Sequence, residues 1–293
     1  SKVINMEGMF SSQYFNTDIS TWDTSRVTNM NYMFGRCSSF NCGLPKYWVD
    51  DRRDGKHRQN INTKEVEVNG KKYIAWDMSK LTTLEKMLEG CSSFNNDISN
   101  WNLSNVTIAY GLFNYMGAFN CGNPWNINPE DTDNGGLPYR TIDTKMVTIG
   151  TDERKITYKA WDVAGIDDMQ IMFTATYSFN NNINNWDMRN VKNTSEMFKW
   201  SPFEGDISKW NTTGIVSARA MFREMSNFNV DISTKTIDVT DEANWMLTFD
   251  YSGQPNSSDE PDYGKIRNPD LPDSYVAWDV TGISDMSEML YTS

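Results

Sequence analysis

The only histidine of this 293-residue chain, His57, stands in the run Asp50-Asp51-Arg52-Arg53-Asp54-Gly55-Lys56-His57-Arg58. General-base or zinc chemistry there would need a motif-placed nucleophile or further ligands, and the sequence supplies neither. The run reads as a solvated loop. Carboxylates abound, Asp167-Asp168 and Asp241-Glu242 among them, so their pairing is uninformative; a glycosidase pair about 5–10 Å apart leaves no sequence signature. The expectation is no catalytic residue, no metal ligand and no cofactor. Binding has more to draw on: Tyr47, Trp48, Arg52, Arg53 and His57 in one stretch, Trp125 and Tyr139 in a second, Trp245 and Tyr263 in a third. Aromatic and arginine side chains anchor interfaces, although large aromatics also fold back to cover a core.

Recurring Asp18, Asp97, Asp206 and Asp231 invite calcium, but a hard cation needs several oxygens converging in one loop. Glu130-Asp131-Thr132-Asp133-Asn134-Gly135-Gly136 comes nearest and lacks the terminal Glu of a calcium loop. The four cysteines do not form a disulfide framework in so long a chain. Cys37 and Cys91 share a column in Gly-Arg-Cys-Ser-Ser-Phe and Glu-Gly-Cys-Ser-Ser-Phe; adjacent coils would bring them within about 5 Å, bridged or, as favoured here, packed as buried thiols. Asn-x-Ser/Thr triplets begin at Asn102, Asn105, Asn193, Asn211 and Asn256, and only Asn256 lies in a loop that would clearly tolerate a glycan.

Nine apolar phrases frame these residues, ending at Phe10, Phe34, Leu88, Phe113, Phe173, Phe198, Phe222, Leu247 and Leu290, each preceded by Met or Leu. Uninterrupted neighbours are 24 or 25 residues apart, the range of a repeat whose units stack. Val27, Met30, Met33 and Phe34 recur at the spacing of one apolar helical face. A second aromatic column is followed by Asn, as in Phe15-Asn16, Phe40-Asn41 and Phe94-Asn95, with Phe203-Glu204 the one departure. An extended stretch such as Asp18 to Asp23 then leads into a tryptophan column, Trp22, Trp76, Trp101, Trp161, Trp186, Trp210 and Trp278. The unit therefore reads as short helix, loop and strand. Asn after Phe is expected to form an amide ladder satisfying buried backbone groups, and Asp after Trp to cap the next helix.

The unit from Phe15 to Phe34, Phe-Asn-x-Asp-Ile-Ser-x-Trp-Asp-x-Ser-x-Val-Thr-x-Met-x-x-Met-Phe, resembles the roughly 25-residue repeat of BspA-like leucine-rich repeat surface proteins of bacteria, which also occurs in virion proteins. The resemblance implies a leucine-rich-repeat-like fold and an extracellular place on a cell or virion surface. The expected architecture is thus a single α/β solenoid of nine short helix-strand coils spanning 1–293, reading as a piece of a longer chain.

Three insertions interrupt it, at about 42–75, 121–160 and 234–277, rejoining at Ala75-Trp76-Asp77, Ala160-Trp161-Asp162 and Ala277-Trp278-Asp279. Asn69-Gly70 between Glu65-Val66-Glu67-Val68 and Lys72-Tyr73-Ile74-Ala75 marks a tight hairpin, and Met146–Ile149 with Ile156–Tyr158 repeats the pattern. Hairpins on one edge, where insertions often bind partners, are expected. The formal charge of −12 is spread without a basic stripe, which argues against nucleic acid, and no stretch of about 18 apolar residues suits a membrane. The favoured expectation is a non-enzymatic recognition or adhesion module binding a protein or glycan on another cell or particle. The alternative is a structural spacer or lattice subunit contacting copies of itself.

Overall fold

The computed structural model describes residues 2–45, 60–123, 140–151, 155–225, 228–239 and 272–292, and the backbone course of 246–249 and 263–266. Among these residues there is no helix, so the expected α/β solenoid of nine helix-strand coils is not what the chain builds. The segments with helix-like apolar spacing are hydrogen-bonded turns. The regular strands among the described residues are β1 (Lys64–Val68), β2 (Lys71–Ala75), β3 (Lys145–Ile149), β4 (Ile156–Ala160), β5 (Lys235–Asp238), β6 (Met246–Phe249), β7 (Tyr263–Ile266) and β8 (Ser274–Ala277), paired as four antiparallel two-stranded sheets.

The backbone shows why no helix forms. An α-helix directs every N–H to the carbonyl four residues back. Here the N–H groups of Met169, Ile171, Phe173 and Ala175 reach across to the carbonyls of Asn193, Ser195, Met197 and Lys199, at 2.9, 3.0, 2.9 and 2.8 Å. The intervening N–H groups of Met172 and Thr174 close turns to Met169 and Ile171. Ile171 and Ala175 have φ of 50° and 53°, left-handed values that end a right-handed helix after one turn. A four-residue turn repeat brings residues i, i+3 and i+4 inward just as a helix does. The apolar spacing is therefore shared by both conformations, and the inter-unit hydrogen bonds decide between them.

Successive units lie side by side, joined by these bonds and by single parallel bridges such as Ile108↔Asp168, Asp168↔Asn193 and Asn193↔Ser217. The order runs from Phe222 directly to Leu290, because Phe222 N–H donates to Met289 and Ser217 bridges Asp285. Leu247 is instead part of β6, so it ends no repeat and eight phrases, not nine, form the array.

Three side-chain ladders fill the interior. Phe113, Phe173, Phe198 and Phe222 stack at 5.4, 5.6 and 5.8 Å between ring centroids, and Phe40, Phe94, Phe119, Phe179 and Phe203 at 5.7 to 6.0 Å. Each such ring is fully buried, contributing roughly 1.5–3 kcal/mol of apolar transfer. Buried indoles need a partner for their N–H, and here each finds the isoleucine carbonyl of the preceding unit. Trp76 donates to Ile19, Trp101 to Ile61, Trp161 to Ile98, Trp186 to Ile142, Trp210 to Ile183 and Trp278 to Ile207, all at 2.7 to 2.9 Å.

The amide ladder forms as the sequence leads one to expect. Asn16 Oδ1 accepts from the Asn41 N–H, Asn41 Oδ1 from Asn95, and Asn95 Oδ1 from Asn120. The aspartates after Trp do cap, but they cap tight turns instead of helices. Asp23, Asp77 and Asp279 accept from the N–H two residues on. Asp18, Asp97, Asp206 and Asp231 do the same for Ser20, Ser99, Ser208 and Ser233, which gives that recurring column a structural use.

The first two insertions are each divided in two, not single interruptions. Ile61 and Ile142 resume the isoleucine column, and the hairpins grow after Ile61-Asn62-Thr63-Lys64, Ile142-Asp143-Thr144-Lys145 and Ile232-Ser233-Thr234-Lys235. β1–β2 turn through Asn69 (φ 52°) and Gly70 (φ 74°), the two positive values that a two-residue hairpin turn requires. Each hairpin is tied down alike. Thr63, Thr144 and Thr234 donate to the Trp76, Trp161 and Trp278 carbonyls, and the Tyr73, Tyr158 and Tyr275 hydroxyls donate to the carbonyls of Thr21, Asn100 and Lys209.

Candidate recognition site

The residues singled out by type lie almost wholly outside the described residues: Tyr47, Trp48, Arg52, Arg53 and His57, then Trp125 and Tyr139, then Trp245. Tyr263 opens β7, where only the backbone course is described. The calcium-like stretch 130–136 and Asn256 are outside as well.

A different constellation comes together on the repeat itself. Two residues after the Phe column the backbone takes positive φ at Ser12, Arg36, Tyr115, Ala175, Trp200 and Glu224. Successive side chains at this position therefore form a column of their own, and Trp200 belongs to it, not to the buried tryptophan column. Trp200 remains 37% exposed and Tyr177 60% exposed. With Ser201, Pro202 and Glu224 they line an open depression of about 500 Å³.

The indole is fixed from several sides. Its Nε1 donates to Glu224 Oε2 at 2.7 Å, while Glu224 Oε1 accepts from Arg223 Nε at 2.9 Å. The indole and the guanidinium together hold the Glu224 carboxyl below the usual carboxylate range. Arg223 also pairs with Glu288 and lies 4.9 Å from the centre of the Tyr291 ring. On the other side Lys199 Nζ sits 4.5 Å from the Trp200 ring centre and 2.7 Å from Glu196 Oε2; Arg219 lies 3.5 Å from both Glu196 and Glu288. Each exposed pair contributes little alone, but the network limits where Trp200 can move.

Ser201 completes the site. It is 1% exposed, its N–H donates to the Phe198 carbonyl at 2.9 Å, and its Oγ has no hydrogen-bond partner among the described residues. A buried hydroxyl without a partner costs about 1–3 kcal/mol and is uncommon.

Titratable clusters at the roots of the first two insertions are of another kind. Cys42 Sγ lies 3.8 Å from Asp18 Oδ1, and Arg140 Nε 3.0 Å from Asp97 Oδ2. Burial pushes the Cys42 and Cys121 thiols up to about 12, so neither is a thiolate at neutral pH. Burial lowers Lys64 and Lys145. It also acts to raise Asp97, yet Arg140, the Ser99 hydrogen bonds and Lys145 together outweigh it and keep that carboxyl below its ordinary value. All four cysteines are free and buried; the Cys91 thiol donates to the Phe34 carbonyl at 3.1 Å and Cys37 to Gln13 at 3.0 Å. Among the described residues no group of three or more His, Cys, Asp or Glu gathers as a metal site, and no helix is long and apolar enough to cross a membrane.

Two signals in the sequence point to the depression. Trp200 is a tryptophan outside the tryptophan column, and Phe203-Glu204, the one break in the Phe-Asn column, follows it by three residues. No curated protein and no solved structure matches the chain. A family model described as "Mycoplasma protein of unknown function, DUF285" matches residues 1–58, 56–132 and 144–258, and to that family the chain belongs.

Proposed function

We propose that the chain is a non-enzymatic recognition or adhesion module, displayed on a microbial cell or virion surface, that binds a protein or glycan. The observation carrying this reading is the exposed Tyr177–Trp200 depression, with an indole held in place by Glu224 and Ser201, whose buried hydroxyl has no partner among the described residues, in its lining. Exposed aromatics on a restrained backbone give contact area at small entropic cost. The acidic surface keeps such a module soluble and away from polyanions, and the resemblance to BspA-like repeats supports a surface location.

The test is binding of protein-coated beads to host cells and matrix, because many copies convert a weak site into measurable avidity. Wild type is expected to adhere, and a Tyr177→Ala/Trp200→Ala variant of unchanged melting temperature to lose most adhesion. Equal adhesion of the two, or none by wild type, overturns the proposal.

The spacer or lattice reading draws on the hairpins, each a two-stranded sheet, because open strand edges invite pairing between chains. Glu65, Glu67, Lys71 and Lys72 put charge along β1 and β2, a device that opposes such pairing. Concentration-dependent growth in sedimentation velocity, lost when Lys64–Ala75 is replaced by a short turn, would favour the lattice.

A further inference from the structure

We infer that the Tyr177–Trp200 depression is a subsite for a neutral pyranose-type saccharide, an assignment that rests on the recognition reading and names the ligand class of the same site. A pyranose has a face of C–H groups and a rim of hydroxyls. It needs an aromatic platform for the first and paired donors and acceptors for the second. Trp200 and Tyr177 supply the platform, exposed by 37% and 60%. Lys199 takes one face of the indole at 4.5 Å, which leaves the remaining exposed ring surface for a flat apolar group.

The rim is met by two groups of different kind. Glu224 already accepts from Trp200 and Arg223, and a carboxylate has about four lone-pair sites, so acceptor capacity remains for a sugar hydroxyl. Ser201 can both donate and accept. Ser201 is one of the residues lining the depression; its Oγ is shielded from solvent and without a partner among the described residues, so it would meet a sugar hydroxyl by turning outward to another staggered rotamer. Proline-rich peptides also use aromatic grooves, but proline has no N–H, so they offer Glu224 few donors compared with a rim of sugar hydroxyls. Anionic sugars are disfavoured by Glu224 itself and by the chain's formal charge of −12. An open cavity of about 500 Å³ lies at the small end of ligand pockets and suits one or two sugar rings at the tip of a longer glycan.

The experiment follows the indole N–H resonance of Trp200 in the 15N-labelled full chain, assigned by its loss in Trp200→Phe. Methyl glucoside, methyl galactoside, methyl mannoside and N-acetylglucosamine are titrated separately, with a proline-rich peptide as a further arm. At least one saccharide is expected to shift the resonance with Kd of about 1–10 mM, the range of a shallow single subsite. Ser201→Ala should weaken that binding roughly threefold to tenfold, the net worth of one hydrogen bond. Tyr14→Ala, at a side chain 95% exposed and outside the depression, should leave it unchanged. The saccharide assignment is overturned if none of the four sugars moves the resonance, or if Ser201→Ala and Tyr14→Ala behave alike. If the peptide alone shifts Trp200 while beads still adhere through the depression, recognition survives and the saccharide falls. Beads that do not adhere and sugars that do not bind remove both.

Discussion

Asn95 and Asn16 make the same three hydrogen bonds in surroundings that differ in access to water. Asn95 Oδ1 accepts from the Asn120 and Gly122 N–H groups, both at 2.8 Å, and its Nδ2 donates to the Asn123 carbonyl at 2.9 Å. Asn16 Oδ1 accepts from Asn41 and Gly43 at 2.8 and 2.9 Å, and its Nδ2 donates to Leu44 at 2.9 Å. Asn95, Asn120, Gly122 and Asn123 are all buried, whereas Asn16 and Gly43 are exposed. Truncating Asn95 to alanine strands two donors and one acceptor away from solvent. At about 1 kcal/mol each, the lower bound for an unsatisfied buried group, the loss is about 3 kcal/mol, reduced if a water enters the vacated space. Truncating Asn16 leaves the Gly43 and Leu44 groups within reach of water and only the Asn41 N–H on a buried residue, so about 1 kcal/mol is expected.

Urea denaturation followed by tryptophan fluorescence measures the difference, with the m-value as a check that the same surface unfolds. Stacked repeats can unfold in parts, so exchange of the Asn120 and Gly122 amides is read alongside; both should lose protection in Asn95→Ala. Asn95→Asp adds a sign test. At pH 8 it keeps the acceptor but faces the Asn123 carbonyl with a second oxygen, and at low pH its protonated form can donate there. Its deficit relative to wild type should therefore shrink on acidification. Equal costs for Asn95→Ala and Asn16→Ala, within about 0.5 kcal/mol, would refute the idea that the amide ladder satisfies the buried backbone.

Further perturbations separate other parts of the fold. A Cβ on Gly214 would fall 1.9 Å from the Arg189 carbonyl oxygen, whereas on Gly282 the nearest atom is 3.4 Å away, so Gly214→Ala should destabilise by about 2 kcal/mol or more and Gly282→Ala by less than about 1 kcal/mol in the same denaturation assay. Tyr158→Phe removes the bond to the Asn100 carbonyl and should cost about 1 kcal/mol, read as faster amide exchange confined to β3 and β4. Burial raises Asp143 to about 7 despite bonds from Asn185 and Thr144. An acid raised on folding contributes stability that is complete below its unfolded value and is lost as pH rises through the folded one, so stability should fall between about pH 4 and 7, by at most about 4 kcal/mol from this group. Asp143→Asn, the residue already present at the corresponding Asn62, should flatten that slope, and an unchanged pH profile would count against a protonated Asp143.

The parts of the fold written in side-chain columns could be read directly. Phe, Trp and Asn recur because each unit must place the same group over the same neighbour, and the stacked rings and the amide ladder follow from that alone. The hairpin at Asn69-Gly70 was legible because its turn needs two residues at positive φ. The turns were not legible. Met169, Met172 and Phe173 have the spacing of a helical face, and nothing in their identity records that Ile171 and Ala175 adopt φ near 50°. That preference comes from hydrogen bonds to the next unit, a non-local cause. The ninth phrase failed for a related reason: Met246-Leu247 has the right pair, but its backbone pairs with β7 as part of β6. The split insertions were visible after all, in the thrice-repeated Ile-x-Thr-Lys, once Ile61 and Ile142 are recognised as members of the isoleucine column.

The site follows from the same division between columns that must repeat and columns that need not. Inward positions are constrained by both neighbours, since each Phe ring must stack on two others about 5.4 to 6.0 Å away. The position two residues on, at Ser12, Arg36, Gly90, Tyr115, Ala175, Trp200 and Glu224, is held by the backbone ladder whatever its side chain, so its chemistry is free to vary from unit to unit. Trp200 and Glu224 are adjacent in that column, which is why an indole and a carboxylate 24 residues apart in sequence meet at 2.7 Å. A binding site made this way needs no loop to fold around it. Its geometry is set by the core beneath, and for that reason substitutions at Trp200, Ser201 and Tyr177 should change what the surface binds while leaving the ladders under it intact.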